Sequence, residues 1–167
     1  MTRLKFRAFA VCSLSVLALG IVTGYARYAP TSVFLGNPEL TKPYVAQCAD
    51  FWKKSYDEKY GGFFTMVKRD GRPDTGDEVK TTLTQSRHAY GFARAYMMTG
   101  KREYLDYARR ALDFLYDKCR DKKNGGFHTT LDRKGDNLDG KKRYPSNGEK
   151  WSFMQHYALL GNLHLSP

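Results

Sequence analysis

Near the middle of this chain a nine-residue stretch is repeated, and the repeat constrains the fold more than any other feature. Asp57-Glu58-Lys59-Tyr60-Gly61-Gly62-Phe63-Phe64-Thr65 recurs as Asp121-Lys122-Lys123-Asn124-Gly125-Gly126-Phe127-His128-Thr129, 64 residues further on (57 to 121). Downstream, Lys80 with Gln85 five residues later recurs as Lys150 with Gln155, at a spacing of 70 (80 to 150), so a short insertion separates the two matches. A period of this length marks two copies of one supersecondary unit, each needing its neighbour to bury its apolar face.

Hydrophobic spacing fills in the units. From about Lys42 to Tyr56, Tyr44, Val45, Cys48, Phe51, Trp52 and Tyr56 fall three and four apart, the pattern of a helix with one apolar stripe. A second such helix is predicted from Arg102 to Arg120, with Tyr104, Leu105, Ala108, Ala111, Leu112, Leu115 and Cys119 on one side and acids and arginines on the other. Between and after these, Thr81 to Met98 and Trp151 to Leu160 are apolar around most of their circumference, which predicts helices buried on every side. The order is therefore outer, inner, outer, inner. The expected fold is all-α: two helical hairpins of an incomplete (α/α)6 barrel, joined by β-hairpin-like Gly-Gly turns. The paired glycines suit the positive φ of a tight reversal.

Residues 1 to 29 are of another kind. Arg3, Lys5 and Arg7 precede an apolar run from Ala8 to Tyr25, with Gly24 and Ala26 ahead of Arg27. This is the pattern of an export signal, and its length is also the least that spans a bilayer, so it reads as a cleaved signal or a membrane anchor through residues 8–25. Residues 30–40, with Pro30, Pro38 and an Asn-Pro pair, form a linker, and 41–167 the folded part. The product is expected to be exported or anchored. Its other cysteines, Cys48 and Cys119, read as one disulfide or as two buried thiols.

The formal charge is +11, but basic residues alternate with acids, as in Lys118 to Lys123 around Asp121, so no stripe suited to nucleic acid forms. No nucleotide loop or metal-ligand spacing is present, and no cofactor is expected. The sharpest signal is Lys80-Thr81-Thr82-Leu83-Thr84-Gln85-Ser86-Arg87-His88. A guanidinium at Arg87 on an otherwise apolar helix requires acceptors, either a carboxylate in a structural ion pair or the oxygens of a polyhydroxyl ligand.

That run, continued by Ala89-Tyr90-Gly91-Phe92-Ala93-Arg94-Ala95-Tyr96, Thr99-Gly100, Tyr104-Leu105, Ala108 and Gly125-Gly126-Phe127, resembles the N-acylglucosamine 2-epimerase family, which includes mannose isomerases and cellobiose 2-epimerases. The resemblance covers about residues 40 to 165. It implies an (α/α)6 barrel holding a mono- or disaccharide at its centre, with proton transfer at sugar carbon 2 by histidines. It also implies that Arg87 binds sugar oxygens, and that the catalytic histidines belong to a later part of the family's chain, which makes this chain a truncated, inactive portion. Candidate sugar contacts are Arg87, His88 and Tyr90 on the inner helix and His128 at the rim of the second turn. His88 could equally be a satisfied inner-layer histidine, and His156 and His164 are read as structural. The other classes compatible with the sequence are an exported, non-catalytic carbohydrate-binding remnant and another (α/α)-barrel glycoside hydrolase. The hydrolase ranks last, because only Glu149 offers an acid near an inner helix.

Overall fold

A computed structural model describes residues 32–138 and 150–162. The export or anchor segment, His164 and Glu149 lie outside the described residues. Residues 32–40, a unit to themselves, contain one helical turn at Val33–Gly36 and a 3-10 turn at Pro38–Leu40.

In the second unit the helices are α1 (Thr41–Lys53), α2 (Thr82–Thr99), α3 (Arg102–Phe114) and α4 (Ser152–Asn162), and two short strands, β1 (Lys80–Thr81) and β2 (Thr130–Leu131), precede and follow the central helices. The last turn of α3 widens into π-type bonding over Leu115–Cys119. All four predicted helices form. The first ends at Lys53 rather than Tyr56, because Lys54, Ser55 and Tyr56 donate to carbonyls three residues back and so tighten the chain. Tyr56 is then free to bridge Phe63 across the first Gly-Gly turn.

Each repeat makes the same reversal. Asp57 N–H bonds Gly62 O at 2.9 Å and Gly61 N–H bonds Asp57 O at 2.8 Å; Asp121 with Gly126 and Gly125 does the same at 2.9 and 3.0 Å. Gly62 shows why the second glycine is needed. It sits at φ 70°, and a Cβ there would lie 2.6 Å from the ring of Phe114, which is itself buried, so a side chain adds left-handed strain and a clash together. Strands β1 and β2 pair antiparallel, Lys80 with Leu131 and Thr81 with Thr130. The two-stranded sheet therefore joins one repeat to the next rather than closing either on itself.

The core lies where α2 meets α1 and α3. Phe63 from the first turn, Phe92, Tyr104 and the alanines 49, 89, 93, 95, 108 and 111 are buried together. Alanines on both α2 and α3 let the two backbones approach closely, while each buried aromatic contributes about 2 kcal/mol. A second cluster, Phe114, Leu115, Cys119, Leu131 and Ala158, lies under the second turn.

Two sequence expectations are corrected. The inner helices are not covered on every side: α2 leaves Arg87, Gly91, Arg94 and Met97 exposed along one face, and α4 exposes Phe153 and Leu159, with Trp151 exposed just ahead of it. Hydropathy reports what a helix can bury, and on these faces no described element covers it. The outer helix α1 likewise buries only Ala49 fully, with Tyr44 and Trp52 exposed.

Candidate functional site

Helix α2 begins inside a cluster of threonines. Thr81 caps it by accepting from Thr84 N–H at 3.2 Å, and Thr65 Oγ1 lies 3.0 Å from Thr84 Oγ1 and accepts from Thr81 N–H at 2.9 Å. This fixes the rotation of the helix and hence the direction of every residue after it. Gln85 then reaches back to the first turn, its Oε1 accepting from Phe63 N–H at 2.8 Å and its Nε2 donating to Phe63 O at 2.7 Å. Gln155 clamps Phe127 identically, at 2.8 and 2.9 Å. Both backbone groups of the aromatic are thus satisfied by one side chain, as buried amides require.

Lys80 is fully buried and spends all three ammonium protons: on Asp57 Oδ2 at 2.9 Å, Gly61 O at 2.5 Å and Arg133 O at 2.7 Å. Arg133 returns to the same carboxylate, Nε to Asp57 Oδ2 at 2.9 Å, and pairs with Glu78 at 2.8 Å. Burial would push the Asp57 carboxyl up, but hydrogen bonds from Arg133 and Lys80 win and hold it at about 2. The repeat places Lys150 on Asp121 Oδ2 at 2.6 Å and on Gly125 O. This network was not expected from sequence. A cleft of about 400 Å3 beside it is lined by Tyr60, Asp77, Glu78 and Arg133 among others, and there Arg133 pairs with Glu78 and Asp57.

Residues two apart on a helix point about 200° from each other. Gln85 faces the turn, so Arg87 faces the opposite way, onto the open side of α2. There its guanidinium lies 4.9 Å from the ring centre of Tyr157 and its Nη2 lies 3.4 Å from the Tyr157 hydroxyl. Tyr157 stands to Gln155 as Arg87 stands to Gln85, so equivalent positions of the two repeats converge on one face. Tyr157 was missed from sequence, although adding 70 to Arg87 finds it. The pair is held by Ser86, whose hydroxyl donates to the Tyr157 carbonyl, and by Phe153, 4.8 Å from the Tyr157 ring centre. Arg94, two turns on, shares the face. Among the described residues neither Arg87 nor Arg94 has a carboxylate within ion-pair distance. Among the described residues, then, no ion pair accounts for Arg87. Tyr90 is half-buried on the same helix.

The other two candidates lie apart from this face. His88 is enclosed, its ring stacked 4.2 Å from Phe63 and edge-on to Trp52 at 5.4 Å. Its Nδ1 lies 2.8 Å from Thr84 O and must carry the proton, since a carbonyl only accepts; Nε2 lies 3.3 Å from Ser55 Oγ. Burial pushes its pKa down to about 4. His88 is thus a neutral core residue. His128 is half-buried, its N–H bonded to Cys119 O at 2.8 Å and its carbonyl accepting from Thr82 Oγ1 at 2.5 Å, which ties it to the repeat junction. His156 is exposed. Cys48 and Cys119 are both free thiols, and burial pushes Cys119 up to about 12. No group of three metal-ligating side chains occurs among the described residues.

Repeated helical hairpins whose inner helices bring equivalent residues to one face define a helix-rich α/α-repeat protein. The chain belongs to the N-acylglucosamine 2-epimerase (GlcNAc 2-epimerase) family, whose model matches residues 35–146. It is 35% identical over 92 residues to a cellobiose 2-epimerase of Dictyoglomus turgidum, covering 55% of this chain and 23% of that one. To a cellobiose 2-epimerase of Ruminococcus albus it is 31% identical over 143 residues, covering 75% and 36%. The fold matches a sugar epimerase from a ruminal bacterium (TM-score 0.60, 25% identity, 72% of this chain and 30% of that one) and a D-mannose isomerase (TM-score 0.58, 19% identity, 71% and 29%). The chain thus spans roughly a quarter to a third of the relatives it matches.

Proposed function

We propose that this chain supplies one side of a sugar site in a carbohydrate 2-epimerase or isomerase, with Arg87 on the open face of α2 as its principal ligand group. The observation that carries this reading is the meeting of Arg87 with Tyr157, its repeat equivalent, on a face where no carboxylate among the described residues takes the guanidinium. An arginine presents donors in a fixed fork, and a neighbouring tyrosine ring offers a flat apolar surface. Together they fit the edge and face of a pyranose. Tyr90 and Arg94 extend the site along the helix. The chemistry such a site serves is removal and return of the proton on carbon 2. Arg87 would stabilise the charge that builds on the adjacent oxygen, while the proton-moving groups come from sequence beyond that described.

The test is binding of cellobiose and of mannose to this chain by titration calorimetry, with carbon-2 hydrogen exchange in deuterated water followed in parallel. Binding that Arg87→Ala weakens by about tenfold or more, a loss of roughly 1.4 kcal/mol, is the expected result. Equal affinity in the variant would remove Arg87 from the site. Binding without exchange fits a chain that holds sugar but does not turn it over; exchange by the isolated chain would show that it carries its own acid and base. Residues 1–29 are read as the export or anchor segment. Fractionation after expression in a bacterium is expected to recover the protein in the periplasm or the membrane, and recovery only from the cytosol would refute that assignment.

A further inference from the structure

Helix α2 carries a glycine, Gly91, in the middle of its eighteen residues. Glycine is the least favoured helix residue after proline, because its backbone has the most freedom to lose, so an interior glycine needs a physical reason. The usual reasons are absent. Gly91 is not among the glycines with positive φ. No packed neighbour demands it either, since a Cβ built there would meet nothing within 4 Å among the described residues. Where α2 approaches other helices closely the chain uses alanine instead, Ala89, Ala93 and Ala95 all being buried.

The glycine stands on the same face as Arg87. It lies one turn beyond Arg87 and one turn short of Arg94, and all three are exposed. The two arginines are about 10 Å apart along the helix, seven residues at 1.5 Å each, and Gly91 leaves the floor between them bare. The second repeat has the same feature. Gly161, 70 residues on from Gly91 (91 to 161), lies within α4 one turn beyond Tyr157, as Gly91 lies one turn beyond Arg87. Both inner helices thus accept an unfavourable residue four positions after the side chain that each brings to the shared face. Another helix packed closely onto Gly91 would have to bury the guanidiniums on either side of it, each needing acceptors of its own. A polyhydroxyl ligand brings acceptors to both.

We propose that Gly91 sets the depth of the sugar site: a sugar ring lies in contact with the bare backbone of α2 at Gly91, and its oxygens reach Arg87 on one side and Arg94 on the other. The N–H and C=O groups of a mid-helix residue are already bonded within the helix, so the contact at Gly91 is van der Waals contact and selects by shape. A methyl group at this position would lift the ring off the helix and away from the arginine forks. The inference rests on the reading of the Arg87 face as a sugar site and adds to it the residue that decides which rings fit.

Gly91→Ala and Gly91→Leu in the full chain, beside Arg87→Ala, test it, with cellobiose affinity read by titration calorimetry and stability by the urea midpoint. Both Gly91 variants are expected to raise the midpoint, since alanine and leucine are strong helix formers at an exposed position. Affinity is expected to fall about tenfold in Gly91→Ala and further in Gly91→Leu. A glycine of purely structural importance would not move stability and binding in opposite directions. Unchanged affinity in both Gly91 variants, with Arg87→Ala weakened, would overturn the role of Gly91 and leave the sugar site standing, whereas no cellobiose binding by the parent would overturn both. A lowered midpoint in Gly91→Ala would also overturn it, because another part of the protein would then be what packs on the glycine.

Discussion

Replacing Lys80 with methionine is expected to lower the stability of the fold by about 3–5 kcal/mol, whereas Lys150→Met lowers it by about 1 kcal/mol. The two lysines hold equivalent positions and share two equivalent acceptors, so the difference reports the deeper burial of Lys80 together with its bond to the Arg133 carbonyl. Lys80 and Asp57 are 0% and 1% exposed, and removing the ammonium takes the Lys80 donor from the Gly61 and Arg133 carbonyls and leaves Asp57 Oδ2 with Arg133 as its remaining cation. The buried Asp57 carboxylate has little access to water as a substitute donor. Lys150 is 26% exposed and its partner 8%, so water can take over much of its role. Urea titrations of both variants, read as the midpoint at constant slope, provide the comparison. Equal losses would mean that Lys80 acts as a local turn brace rather than as the tie between repeats.

The acid limb follows from the same pair. A carboxyl held at about 2, against 3.8 when unfolded, contributes stability that is present above 3.8 and lost as the pH falls through 2. Lys80→Met should flatten that limb while leaving the slope of stability against pH unchanged at higher pH.

Much of this architecture was legible because repetition converts sequence into geometry. The turn sequence 57–65 and its copy 121–129 predicted the paired reversals, and the Lys-to-Gln spacing in each repeat turned out to be one lysine and one glutamine gripping one turn. Arg133 escaped notice because its contacts span 76 residues in the chain and local periodicity carries no sign of them. The same 64-residue spacing also relates Arg69 to Arg133 and Gly71 to Gly135, beyond the end of the turn sequence. The open faces of α2 and α4 were not legible for a different reason. Apolar residues state a capacity for burial, and whether a neighbour uses it is a property of the assembled fold. Arg87 was found because a cation on such a helix is conspicuous. Tyr157 was not, since an aromatic on an apolar helix looks like core until its partner is seen.

His88 sets the second large effect, on the neutral side of the pH scale. The protein is expected to lose about 3 kcal/mol of stability between pH 7 and pH 4, and His88→Gln is expected to abolish most of that slope. The ring is enclosed by Phe63, Trp52 and Phe92, with its one proton on Nδ1 committed to the Thr84 carbonyl. A second proton, on Nε2, would put a charge into that enclosure, and burial therefore holds the folded pKa at about 4 against 6.5 in the unfolded chain. The sign follows directly. Between those values the unfolded state binds a proton that the folded state refuses, so stability falls as the pH drops through the window and levels off below 4. Two and a half pKa units at 1.36 kcal/mol each give the magnitude. The window lies above that of Asp57, so chemical denaturation at half-unit pH intervals separates the two groups. His88→Gln is expected to be less stable than the parent at pH 7, through lost packing on Phe63, and the diagnostic quantity is the slope rather than the level. A variant that kept the full slope between pH 6.5 and 4 would show that another group carries the linkage and that His88 accepts its proton in the folded state.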